Sequence, residues 1–102
     1  MQALWSGQVI AEADKEDLIY IERNWYFPPD SVNHDFLRMS NTPYTCPWKG
    51  VCQYFDVGDP SLDQWSKDAA FTYPSPKESA IDTVKKDFSN YFAFWRDVEI
   101  KE

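Results

Sequence analysis

The segment TPYTCPWKGVCQYFDV (Thr42–Val57) decides how the chain is read. Pro43 and Pro47 flank Tyr44-Thr45-Cys46, and neither proline has a backbone N–H to give to a ladder. The stretch therefore reads as a corner that ends one strand and starts the next. After Gly50 the pattern alternates. Val51, Gln53, Phe55 and Val57 fall on one face and Cys52, Tyr54 and Asp56 on the other, which is the period of a strand.

Working outward, MQALW-SG-QVIAEA reads as a hairpin around Ser6-Gly7. LIYIER alternates and is rich in β-branched and aromatic residues, so it is a strand. The next strand ends near Phe27, ahead of Pro28-Pro29, where a short helical turn begins. DFLRMS returns as a strand, GDPSLDQW is turn-rich, and AAFTYP is a strand that stops at Pro74. SPKESAIDTVKKDF predicts a helix over about residues 76–88, with Ser75 at the N-cap, Pro76 at the first position and Glu78 at the third. Ile81, Val84 and Phe88 would share its buried face. YFAFWRDVEI closes the chain as one aromatic strand. These elements predict a mostly β domain. The architecture would be a small antiparallel barrel-like or tent-like two-sheet domain with one short helix.

Composition narrows the partners. The chain has 102 residues, enough for one domain, and 18% of them are aromatic, so large rings must fill much of its core. The formal net charge of −7 disfavours nucleic acid and anionic lipid as partners. A local anion pocket is still compatible with it, because distant charges are screened. No leader pattern and no long apolar run is present, so a soluble, cytoplasmic protein is expected, with no membrane partner. Exposed strand edges allow a monomer or a weak homodimer, and Glu99 and Lys101 protect one edge.

Two cysteines and one histidine, His34, do not make a four-ligand zinc site, and no metal or cofactor is expected. Asp56, Asp59 and Asp63 flank a turn without the spacing of a calcium loop. Cys46 has two readings. One is a nucleophilic thiol activated by Lys49; the other is a small buried hydrophobe, the commoner fate of a free cysteine. Lys49-Gly50 could offer an ammonium and an N–H to an anion, or Lys49 could simply cover a neighbouring ring. The aromatic residues exceed what one core face needs, so some could line a groove.

The ordered segments YFPPDSV (Tyr26–Val32), TPYTCPWKG (Thr42–Gly50), DAAFTYPSP (Asp68–Pro76) and NYFAFW (Asn90–Trp95) resemble domain-of-unknown-function family 427, also labelled nucleotidyltransferase-like. The resemblance covers nearly the whole chain. It implies a compact, mostly β, tent-like domain and no established activity. Asp68 keeps the Asn or Asp that precedes the family's Ala-Ala pair. The tryptophan common after that pair is Phe71 here, which retains a ring and loses an indole N–H. The Gly-Ser and Asp-x-Asp motifs of known nucleotidyltransferases are absent.

Two functions follow as expectations. The first is a non-enzymatic domain that binds a small ligand or a protein at the Cys46-Trp48-Lys49 corner, with Tyr54, Asp68 and Tyr73 contributing. The second is an enzyme on a small substrate, by nucleotidyl transfer or by thiol chemistry, with Cys46 and Lys49 as the candidate catalytic residues.

Overall fold

The alternating run after Gly50 becomes the spine of the structure. The computed structural model describes all 102 residues and contains nine strands and one α-helix. β1 (Gln2–Trp5) and β2 (Gln8–Glu12) form one hairpin; β3 (Ile19–Ile21) and β4 (Asn24–Tyr26) form a second. β5 (Leu37–Cys46), β6 (Gly50–Asp59) and β7 (Gln64–Thr72) are a meander, followed by α1 (Glu78–Val84), β8 (Phe92–Phe94) and β9 (Val98–Lys101). The domain is mostly β with one short helix, as the pattern predicts. Its strands divide among three sheets, ordered β2-β1-β9, β3-β4 and β5-β6-β7-β8, and none closes into a barrel. Two isolated bridges link them, Phe27 to Phe92 and Ala11 to Val32.

The period of 2 gives the four-stranded sheet two apolar faces. One face presents Phe55, Val57, Ala70, Phe92 and Phe94 to Ala3, Trp5, Ile10 and Val98 of the β2-β1-β9 sheet. The other presents Cys52, Phe71, Tyr73 and Ala93 to Ile19, Ile21 and Tyr26 of the second hairpin and to Ala80 of α1. A sheet buried on both faces needs apolar residues at consecutive positions, and Ala69-Ala70-Phe71 supplies them.

Turn chemistry sets the hairpins. Ser6 (φ 50°) and Gly7 (φ 79°) both take positive φ, the geometry of a two-residue turn whose twist matches its strands. Glu22 (φ 49°) and Arg23 (φ 69°) do the same between β3 and β4 without a glycine, a conformation that side-chain-bearing residues rarely adopt.

Four boundaries differ from the sequence pattern. The helix begins at Glu78, with Lys77 at the N-cap. Pro74 to Pro76 instead runs along the corner, where the Lys77 N–H donates to the Lys49 carbonyl at 2.9 Å. The helix stops at Lys85, which is left-handed (φ 67°), so Phe88 reaches the core from the following turn rather than from a helical face. The last aromatic stretch is two strands in different sheets. Arg96 (φ 52°) turns the chain between them, and the Trp95 indole N–H donates to the Asp68 carbonyl. Finally, β5 runs through Pro43 to Cys46 rather than ending before it. It tolerates the missing N–H because it is an edge strand with a register shift between Met39 and Pro43.

Gly58 pairs with Trp65 across β6 and β7; a Cβ there would sit 2.0 Å from the Gln64 carbonyl oxygen and 2.8 Å from the Trp65 Cα. Gly58→Ala is therefore expected to cost about 1–3 kcal/mol or more by overpacking against backbone. Gly7→Ala meets no atom within 4 Å, so it carries only the penalty of its positive φ. Urea unfolding of the two variants checks the order; an equal or smaller loss at Gly58 contradicts it.

Candidate functional site

The corner is built around one buried cation. Pro47, Trp48 and Lys49 turn the chain between Cys46 and Gly50, which pair across β5 and β6. That turn points Lys49 inward. Its side chain is 6% exposed, while that of its ion-pair partner Glu22 is 53% exposed. The ammonium lies 4.9 Å from the centre of the Tyr73 ring and 5.4 Å from that of Trp48. Ring faces favour a cation, and a desolvated one most. Glu22 sits on the left-handed turn between β3 and β4, so a strained turn delivers the anion. The hydrogen bond from Lys49 holds the Glu22 carboxyl below its ordinary value of 4.5, and the Lys49 charge adds to this against partial burial.

Cys46 and Cys52 are both free and buried in the same cluster. Burial pushes the Cys52 thiol up to about 11, outweighing Tyr73 and Lys49, which favour its thiolate. Burial also raises Tyr73 and Tyr26 above the ordinary phenol range. The Tyr26 hydroxyl is buried without a hydrogen-bond partner. Cys46 is 4% exposed, so a substrate reaches it only after the corner opens. Both thiols pack among the apolar side chains of this cluster.

The structure splits the expected site. Cys46, Lys49 and Tyr73 converge. Trp48 flanks them, half-buried. Tyr54 and Asp68 lie further along the same sheet face, beyond Phe71, whose ring meets Tyr73 at 6.4 Å and Tyr54 at 6.1 Å, edge-on to both. Asp68 has positive φ (54°) in β7 beside a register shift, and its N–H donates to Asp56 Oδ1 at 3.0 Å. Asp56 Oδ2 accepts from Arg38 Nε at 3.2 Å and Nη2 at 3.1 Å. Asp68 accepts from Thr42 Oγ1 at 2.7 Å. Burial raises the Asp68 pKa, but hydrogen bonds from Ser40 and Thr42 and the charges of Lys67 and Arg96 outweigh it and hold it below the ordinary value.

Beside the corner lies an open groove of about 490 Å³. Ile19, Ile21 and Val84 line it with Tyr20 and Trp48, and Glu22 and Lys86 add charge. A wider groove of about 940 Å³ near Glu12, Asp14 and Asp30 is mostly polar. No three histidine, cysteine or carboxylate side chains converge closely enough to hold a metal ion. No helix is long and apolar enough to cross a membrane.

Glu22 was not legible as a site residue. A charged pair after an alternating strand, Glu22-Arg23, gives no hairpin signal without glycine or asparagine. Trp95 is one of the surplus rings, but no local pattern joins it to Arg96 and Lys67, which a bulge and a turn bring together.

Residues 1–101 match the model of a family described as domain of unknown function (DUF427). No curated protein matches the chain.

Because Glu22 has a lowered folded pKa, its stabilisation is complete above its ordinary value of 4.5 and disappears as pH falls through the lowered one. Glu22→Gln, which leaves a buried ammonium without its counter-charge, should cost about 1–3 kcal/mol at neutral pH. The gap to the unaltered protein should close in acid. Lys49→Met should cost less at neutral pH, since the half-exposed Glu22 returns to water. Urea melts across the pH range decide this; a gap that persists unchanged into acid contradicts the ion-pair account.

Proposed function

The chain belongs to the family described as domain of unknown function DUF427, and we propose that it is a small-ligand-binding domain whose groove lies beside the Trp48-Lys49 corner. What supports this reading is one conjunction. A groove of about 490 Å³ with a largely apolar lining ends against Trp48 and Glu22, the half-exposed partner of the buried Lys49. Sites for small molecules have this size and character, with a few placed polar groups. The occupant is an apolar or aromatic body that stacks on Trp48 and reaches between Tyr20 and Val84. Lys49 positions Glu22 and Trp48 and does not touch the ligand. Cys46 and Tyr73 support the corner from below.

The test uses indole and phenol as probes, titrated into isotope-labelled protein and followed by amide and indole NMR shifts. Shifts are expected at Tyr20, Trp48 and Thr83, and Trp48→Ala should weaken binding about tenfold through the lost stacking surface. Shifts absent from these three residues, or a Trp48→Ala variant that binds as tightly, reject the groove.

A further inference from the structure

The half of the sheet face beyond Phe71 is uncovered by the helix or the second hairpin, and it has its own chemistry. Tyr54 and Trp95 stand nearly parallel, 9° apart, with ring centres 6.3 Å from each other. Phe71 packs edge-on against both, at 6.1 and 5.7 Å. Tyr44 lies 6.3 Å from Tyr54 and is 45% exposed; Trp95 is 38% exposed. These partly exposed rings, ordered by a buried one, form an aromatic platform in which Tyr44 is tilted 40° from Tyr54.

Two cations border the platform, and a third, Arg38, is joined to them through Asp56. The Arg96 guanidinium sits 4.6 Å over Trp95 and donates to the Lys67 carbonyl at 2.9 Å. Lys67 Nζ donates to Ser40 Oγ at 3.2 Å and lies 3.8 Å from Asp68 and 3.9 Å from Asp56. Arg38 stacks 4.1 Å over Trp65 while bonded to Asp56. The two carboxylates among them are 7% and 9% exposed, whereas Arg38 is 51% and Lys67 68% exposed. The acids are beneath and the cations face water. In a chain of net charge −7 this is a local reversal of sign, beside stacked rings.

We propose that this surface is a second binding site, for a small phosphate ester carried on a planar ring. The ring lies on Tyr54 and Tyr44 beside Trp95, whose face Arg96 covers. The phosphate meets the free donors of Lys67 and Arg96, with Arg38 at the rim. A phosphate presents several acceptor oxygens to converging donors, and a ring supplies the stacking that binds it here rather than elsewhere on an acidic surface. The buried Asp56 and Asp68 position the cations before the ligand arrives.

Phenyl phosphate, phenol and inorganic phosphate are titrated separately into isotope-labelled protein at low, matched ionic strength. Phenyl phosphate should shift the Trp95 indole N–H and the Lys67 and Arg96 amides. Each half alone should bind at least about tenfold more weakly, because each lacks one set of contacts. Added salt should weaken the ester and leave phenol unchanged. A Lys67→Gln/Arg96→Gln variant with unchanged melting should lose about tenfold or more in affinity for the ester, charge-assisted bonds being worth that much. Indole binding at Trp48 should be unaffected, which separates this site from the groove. If the double variant does not fold, Lys67→Gln alone gives the reading. Equal affinity for phenyl phosphate and inorganic phosphate, shifts confined to Tyr20 and Trp48, or a folded variant that binds normally each overturns the proposal.

Discussion

A buried ammonium must have an anion near it, and much of one side of this fold is arranged to give Lys49 one. The only carboxylate it reaches is at the tip of the turn between β3 and β4, so that hairpin has to fold back over the sheet. The same corner also captures the segment ahead of the helix. The Lys77 amide bonds to the Lys49 carbonyl, and the Lys77 ammonium bonds to the Pro47 carbonyl at 2.9 Å. One turn thus ties together the central meander, the second hairpin and the entry to the helix. Apolar burial stabilises these pieces, and the ion pair joins the hairpin tip to the corner.

The burial itself is an exercise in rings. Tyr26, Phe71, Tyr73 and Phe88 meet edge to face on one side of the sheet, and Phe27, Phe94, Phe92 and Phe55 pack on the other. A small domain has little apolar volume, and large side chains in T-shaped contact fill two thin cores with few residues. The cost appears at Tyr26 and Thr72, whose buried hydroxyls have no partner. Shape has taken precedence over polar satisfaction there.

How much of this was legible depended on whether a signal was local. Alternation in Val51–Val57 and the Ser6-Gly7 turn are local, and both elements stand where the pattern puts them. Ser75 and Pro76 are good capping residues, yet the helix starts later because a distant carbonyl, that of Lys49, claims the next amide. Phe88 looked helical at i+7, but a left-handed Lys85 intervenes, and lysine gives no warning of it. Lys49 and Cys46 stand out in the sequence as unusual neighbours, but their burial, a cation with its distant partner Glu22 and a thiol in the apolar cluster, has no local signal. The Asp68 bulge was invisible, since no residue type announces that β7 skips a ladder bond for Asp56. That single irregularity decides where Lys67 points.

Pairing of β1 with β9 joins Gln2 to Lys101 and Trp5 to Val98. Few contacts in a chain of this length span a longer loop. The entropy of closing that loop must be met before any of its bonds form, so the pairing belongs to the late, slow part of folding. Because β9 follows β1 in the chain only after the whole intervening fold, β1 keeps one edge unpaired until β9 has been made. The polar turn and short strands of the first hairpin matter most in this interval, when no partner yet shields Leu4 and Trp5 from other chains.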